Sequence, residues 1–365
     1  MNRPQFLTPS RPAAAGAAAA KARRRGAFVI DGAAGVDLLF QPPDSPDYAA
    51  ALQAVRDCGL TAAVMTITPN GRRHADATWK SMRQRLIDYD AVVVRHADRM
   101  LTVRNRADLE RARRERKLGV VFTFQGAEPI GEDLERVTVF RDAGLRVLQL
   151  THNVRNLIGD GSLEPGDAGL SRHGHALIER LEAERIVVDL AHGGARMTRE
   201  AIAAATRPPL VSHSGCRALV DSPRLLGDAQ LRRLAERGGV VGIIFWPYLR
   251  RQGQQTAADV IRHIEHAITV CGEDHVGLGT DLSIVPTAIT PAFREENARN
   301  IRDAIAMGAF AADRDPELLL FPPDLNTADR FGRLADLLSA RGHADARIEK
   351  ILGGNFARVL GDVWG

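Results

Sequence analysis

The sequence predicts a (β/α)8 barrel of the TIM type. Eight short apolar runs recur along the chain, and each is followed by a segment of helical period. The runs are rich in Val, Ile and Leu and lack polar alternation, as strands covered on both faces of a parallel sheet require. A doubly wound open sheet is the competing architecture, but no GxGxxG follows the first strand and no Walker A motif occurs.

Taken in order, the predicted strands are 27–31 (AFVID), 60–67 (LTAAVMTI), 118–124 (LGVVFTF), 146–152 (RVLQLTH), 186–192 (IVVDLAH), 208–213 (PPLVSH), 240–245 (VVGIIF) and 275–281 (HVGLGTD). Amphipathic segments near 47–57, 73–94, 132–142, 171–184, 198–205, 228–237 and 256–271 predict the intervening helices. Gly59, Gly119, Gly144 and Gly238 read as helix stops, and Asp228 and Thr256 as N-caps. A proline-rich elaboration with a helix near 292–311 occupies about 282–322. Two last helices, about 326–341 and 346–360, are expected on the barrel exterior.

Composition narrows the functional classes. Hydrophobic residues are 45% and charged residues 26% of the 365, ordinary for a soluble globular protein. No run of 18 apolar residues occurs, so no transmembrane helix is expected. The net charge is +4, and residues 1–26 carry six basic residues and no acid, so the remainder is −2. We expect 1–26 to be a basic, Ala-rich flexible tail and 27–365 a single catalytic domain. The tail reads as uncleaved, which implies a cytoplasmic chain; a degenerate export signal is the alternative. Basic stretches are not interleaved with aromatics, so nucleic acid is not an expected partner. Cys58, Cys216 and Cys271 are too few and too scattered for a disulfide framework or a cysteine zinc site.

The informative pattern lies at the strand ends. Gln125, His152, His192, His213 and Asp281 each stand at or just past the C-terminal end of a predicted strand. In a barrel those ends converge on one face, where active sites of this fold are built. One such histidine alone reads as a hydrogen-bonded structural residue, but the repetition points to a site. Imidazole and carboxylate are the usual ligands of a catalytic zinc ion, and a carboxylate beside the attacking water can carry its proton.

With LQLTHNVRN (148–156), VVDLAH (187–192), VSHSGCRAL (211–219), SPRLLGDAQLRRLAERGGVVGI (222–243), HVGLGTDL (275–282) and ILGGNFARVL (351–360), the chain resembles the membrane (renal-type) dipeptidases, peptidase family M19, of the amidohydrolase-like barrels. The segments run in family order across about 28–360. The resemblance implies that His192 and His213 bind metal and that His152 contacts the scissile carbonyl. It implies that Arg224 grips the substrate carboxylate, and that Asp281 is a metal ligand and the proton-transfer group. It also implies a small-molecule substrate with a free carboxylate and a homodimer.

Two departures stand out. Where the family has DGHxD at the end of its first strand, this chain has DGAAGVDL, with Ala33 and Gly35 in the ligand positions. Asp37 is two residues too far along unless a bulge brings it in. The family's bridging glutamate is Gln125 here, which carries no charge, although its amide oxygen is a weak candidate ligand. Glu128 reads as a surface acid. We therefore expect one zinc ion rather than two, with a site that needs no metal as the alternative.

Other residues have plain readings. Buried packing is expected for Cys216 and solvation for His74, His96, His263, His266 and His343. Asp189 reads as a structural hydrogen-bonder. The HGH tripeptide of His173 and His175 is a less favoured chelator. Asn153 and Asp160 shape either the pocket or a turn. The favoured function is a metallo-dipeptidase-like hydrolase of a dipeptide or similar small carboxylated amide. The alternatives are a diverged lyase- or isomerase-type enzyme and an inactive binding homologue on the same barrel.

Overall fold

The computed structural model describes residues 26–68 and 78–365. Its strands are β1 (Ile30–Gly35), β2 (Ala62–Thr66), β3 (Met100–Thr102), β4 (Leu118–Gln125), β5 (Leu145–Gln149), β6 (Val187–Asp189), β7 (Leu210–Ser214), β8 (Val240–Ile243), β9 (Val276–Leu278) and β10 (Leu282–Ser283). All the pairings between them are parallel, in the order β10-β1-β2-β4-β5-β6-β7-β8-β9. The two ends of that path, β9 and β10, are consecutive pieces of one segment. One pairs with β8 and the other with β1, so the sheet closes into the expected barrel. Each apolar run of the sequence supplies one barrel strand.

The helices are α1 (Tyr48–Asp57), α2 (Trp79–Arg95), α3 (Arg106–Glu115), α4 (Arg136–Asp142), α5 (Arg172–Ala183), α6 (Ala195–Ala204), α7 (Asp228–Glu236), α8 (Ala257–Cys271), α9 (Pro291–Ala306), α10 (Arg330–Ala340), α11 (Asp345–Glu349) and α12 (Asn355–Trp364). No described helix is long and apolar enough to cross a membrane.

Side chains alternate along each strand, and the barrel interior is layered accordingly. Val64, Val121, Val147, Val187, Leu210 and Val240 form one apolar layer. Two residues further along the same strands stand Thr66, Thr123, Gln149, Asp189 and Ser212, which line a cavity of about 170 Å3 with Gln125 and Asp281. The interior therefore turns from apolar to polar toward the C-terminal mouth. Asp189 belongs to that polar layer, where it accepts hydrogen bonds from Ser212 N and Ala191 N at 2.9 and 3.0 Å.

Glycine is required where walls meet. A Cβ on Gly242 or Gly279 would stand 2.0 or 1.9 Å from the carbonyl oxygen of Ser212. Both strands flanking β7's neighbourhood can approach it only without side chains.

Several expectations need correction. The last helix does not lie on the barrel exterior. α12 plugs the lower end, with Phe356, Val359, Leu360, Val363 and Trp364 packed on the apolar layer. β3 and α3 were not expected: β3 pairs only with the start of β4, and α3 (RADLERARRE) buries only Leu109 and Ala112. Gly119 lies in β4, and α3 is ended by Arg116, whose φ is 55°. Gly227, not Asp228, is the N-cap of α7, while Thr256 caps α8 as expected, its N–H bonded to Asp259. The tail reading falls on residues 1–25, outside the described residues, as does His74.

Candidate active site

The strand-end groups converge over the polar layer. His213 sits within β7, inside a register irregularity between Val211 and Ser214, and is fully buried. His192 lies three residues past β6 with φ 64°, and Asp281 lies between β9 and β10 with φ 57°. Left-handed backbone at a non-glycine residue is strained, and such strain persists where surrounding structure holds it. Here it sits at two of the five residues the sequence singled out.

His192 and His213 approach Nε2 to Nε2 at 2.8 Å. The far nitrogen of each ring is held: His192 Nδ1 by Asn153 Oδ1 at 2.7 Å, and His213 Nδ1 by Ser212 Oγ at 2.8 Å. An amide oxygen only accepts, so Nδ1 of His192 carries the proton and its Nε2 presents a lone pair. Burial, then Arg224 and His152, push the His213 pKa well down, keeping that ring neutral. With the His192 lone pair accepting, His213 donates its Nε2–H to His192 and its Nδ1 accepts from Ser212 Oγ; a metal ion between the rings would need the His213 proton moved to Nδ1, where Ser212 Oγ can accept it. The ring of His152 stacks on His192 at 4.3 Å.

Asp281 is partly buried, and burial pushes its pKa up to about 7; Arg224 and a hydrogen bond from Gln125 oppose the shift, while Asp31 adds to it. Beneath it, Asp31 braces the strand break. Its carboxylate accepts from Thr280 N at 2.8 Å and Thr280 Oγ1 at 2.6 Å. Burial also raises Asp31, to about 6. Trp246 Nε1 donates to the Asp281 carbonyl at 2.9 Å.

Arg224 is 3% exposed and lies over the Tyr248 ring at 5.4 Å. Its backbone carbonyl is held by Ser214 Oγ at 3.0 Å, and its Nε has no hydrogen-bond partner among the described residues. A buried guanidinium with an unused donor, beside Asp281 and His213, is equipped to take an anion.

The opposite wall lacks donors. Ala33 and Gly35 line the cavity without ligating atoms. Asp37 does not turn in; it accepts from Ser283 Oγ at 2.5 Å and Val285 N at 3.2 Å. Gln125 is engaged with Asp281. Glu128 is half-buried rather than a surface acid, and accepts from Asn156 Nδ2 at 3.1 Å. Among the described residues no group of three or more His, Cys, Asp and Glu side chains is arranged to hold a metal.

The remaining titratable residues are structural. Cys216 is buried with its thiol pushed up to about 12, and His173 Nε2 meets Gly131 O at 2.9 Å. His263 is not solvated as expected. It is fully buried, with Nδ1 accepting from Cys216 N and Nε2 donating to Leu249 O. His96, His266 and His343 are likewise partnered, by Tyr48, Asp228 and Glu265. Asp160 is a loop brace that accepts from Arg155 Nε. Sequence reasoning left Asn153 undecided and did not single out Ser212, Asp31 or Tyr248. Adjacency to the histidines was the available signal for Asn153 and Ser212.

The membrane dipeptidase family, peptidase family M19, matches residues 30–292. An uncharacterized protein in the pqqA 5′ region of Klebsiella pneumoniae is 28% identical over 77% of this chain and 95% of its own length. Dipeptidase tcpJ of Claviceps purpurea is 25% identical over 73% of this chain, which spans 56% of that protein's length. Among solved structures, an amidohydrolase from Pseudomonas aeruginosa superposes with a TM-score of 0.77 at 26% identity, covering 95% of this chain and 99% of that one.

Proposed function

Because the chain belongs to the membrane dipeptidase family, peptidase family M19, we propose that it is a metal-dependent hydrolase of small carboxylated amides, dipeptides foremost, working with one zinc ion. The observation that carries this is the pair of oriented imidazoles at 2.8 Å with Asp281 and Arg224 beside it. The donor set supports one ion rather than two. His192, and His213 once its proton moves to Nδ1, would offer nitrogen lone pairs; Asp281 and, more weakly, the Gln125 amide oxygen line the adjoining cavity, whereas Ala33 and Gly35 offer nothing.

When bound, the ion supplies Lewis acidity that polarises the amide carbonyl and acidifies water. His192 and His213 hold it, oriented by Asn153 and Ser212. Asp281, with its pKa near neutrality, takes the proton of the attacking water and returns it to the leaving amine. His152, stacked on His192, donates to the developing oxyanion. Arg224 clamps the substrate carboxylate and so aligns the scissile bond.

The test is a screen of simple L,L- and L,D-dipeptides with zinc-loaded protein, before and after chelation. Hydrolysis that chelation abolishes and zinc restores supports the reading. Asp281→Asn is expected to lose on the order of 10³-fold in kcat while still binding substrate. Zinc-loaded protein that turns over no small amide would overturn it. The missing first-wall donors favour, as second reading, a diverged lyase- or isomerase-type enzyme in which His152, His213, Asp281 and Arg224 handle protons and a carboxylate.

A further inference from the structure

A second buried arginine, Arg314, lies near Tyr248, which Arg224 also contacts. The loops after β7 and β8 and the segment after α9 enclose a cavity of about 510 Å3, lined by Ser222, Tyr248, Arg250, Arg251, Phe310 and Arg314. The first two are loops of the C-terminal mouth, where the site lies, and the third belongs to the elaboration that follows β10. Arg314 is 6% exposed and stacks on Phe310 at 5.1 Å. Its Nη1 makes one long hydrogen bond, to Arg250 O at 3.4 Å, and its Nε and Nη2 have no partner among the described residues. Asp315 is close enough to act on its charge, but its carboxylate accepts from Glu317 N instead.

A buried guanidinium with two unused donors is costly to the fold unless something pairs with it. The cavity it lines adds Arg251 and Arg250; Arg250 is paired with Asp259 at 3.3 Å and the cavity's Asp221 with Arg217, which leaves Arg314 and Arg251 as its uncompensated charges. Tyr248 is the shared wall. Its ring contacts both Arg224, at 5.4 Å, and Phe310, at 5.0 Å; burial raises the pKa of its hydroxyl, and both arginines lie close enough for their charges to oppose that rise. Tyr248 thus links the arginine that would take a substrate carboxylate to the cavity that Arg314 lines.

We propose that Arg314 receives a second anionic group of the substrate, so that the enzyme selects dicarboxylic substrates, dipeptides whose C-terminal residue is acidic. This rests on the reading above that Arg224 holds the substrate's main-chain carboxylate. The guanidinium fork pairs with carboxylate in two places, which a neutral amide of the same shape cannot match.

The probes are L-Ala-L-Glu and its isostere L-Ala-L-Gln. Turnover is measured with zinc-loaded protein, and binding by calorimetry with the Asp281→Asn protein, each with and without Arg314→Gln. The expected result is a preference for the acidic peptide of at least about tenfold in both kcat/KM and Kd, falling to near one in Arg314→Gln. If Arg314→Gln does not fold, Arg314→Lys keeps the charge without the fork and is expected to leave an intermediate ratio. Equal constants for the two peptides, or a preference that survives Arg314→Gln, overturns the proposal. Turnover of both peptides at equal efficiency removes the dicarboxylate selectivity and leaves the hydrolase. Arg314-dependent binding of L-Ala-L-Glu without turnover does the reverse. Binding of neither peptide removes both.

Discussion

Asp281→Asn is expected to make the metal-free protein more stable at pH 8, although it removes the proposed proton carrier. In the fold the carboxyl titrates near 7, against an ordinary value of 3.8, and the first cause is burial. Between those two values the folded state binds the proton more tightly than the unfolded state does. Wild-type stability therefore falls as pH rises from about 4 to 7, and the loss is complete above 7. At about 1.4 kcal/mol per unit the ceiling is about 4 kcal/mol, and the exposure Asp281 keeps at the mouth brings the expected gain nearer 2 kcal/mol. The neutral isostere escapes this cost. The assay is urea unfolding in the presence of chelator at pH 5 and pH 8, comparing midpoints at constant m. The expected result is a higher midpoint for Asp281→Asn at both pH values, with the gap clearly wider at pH 8 than at pH 5. Parallel pH curves for the two proteins, or a less stable variant at pH 8, would refute the reasoning. A carboxylate kept where it weakens the fold is kept for its chemistry.

Asn153→Ala frees His192 Nδ1, and zinc affinity, measured by competition with a chromophoric chelator, is expected to fall 10- to 100-fold, roughly the usual effect of losing an orienting partner. Gly279→Ala drives a Cβ to 1.9 Å from Ser212 O, and circular dichroism is expected to show loss of the folded barrel or a large drop in Tm. His263, buried and lowered to about 4, must be charged in acid; its contribution is present above 6.5 and lost as pH falls through 4. Wild type is expected to lose up to about 3 kcal/mol in that window, and His263→Met to lack the slope.

The barrel was legible because its strands are covered on both faces. A run such as LGVVFTF must be apolar throughout to be buried by helices outside and by the apolar layer inside. β3 and α3 were not legible for the opposite reason. Three residues pairing with the start of one strand, and a helix burying two side chains, impose almost no pattern. The plugging of the barrel by α12 is a tertiary choice, since its apolar face fits an exterior groove equally well on sequence grounds. At the site, metal-type residues at strand ends could be read one by one. Their second partners could not, because an asparagine beside a histidine has the same sequence signature in a turn. His263 was misjudged because its helix is amphipathic while its ring fills a buried slot, satisfied by the backbone of Cys216 and Leu249. Arg314 carried no signal at all, because its burial depends on three loops meeting.

The central claim is a one-ion site at His192 and His213, and elemental mass spectrometry of protein purified without chelator tests it most directly. About one zinc per chain is expected, as for a catalytic site that keeps an open position, lost in His192→Ala and in His213→Ala. Two ions per chain, or one that survives both substitutions, would contradict it.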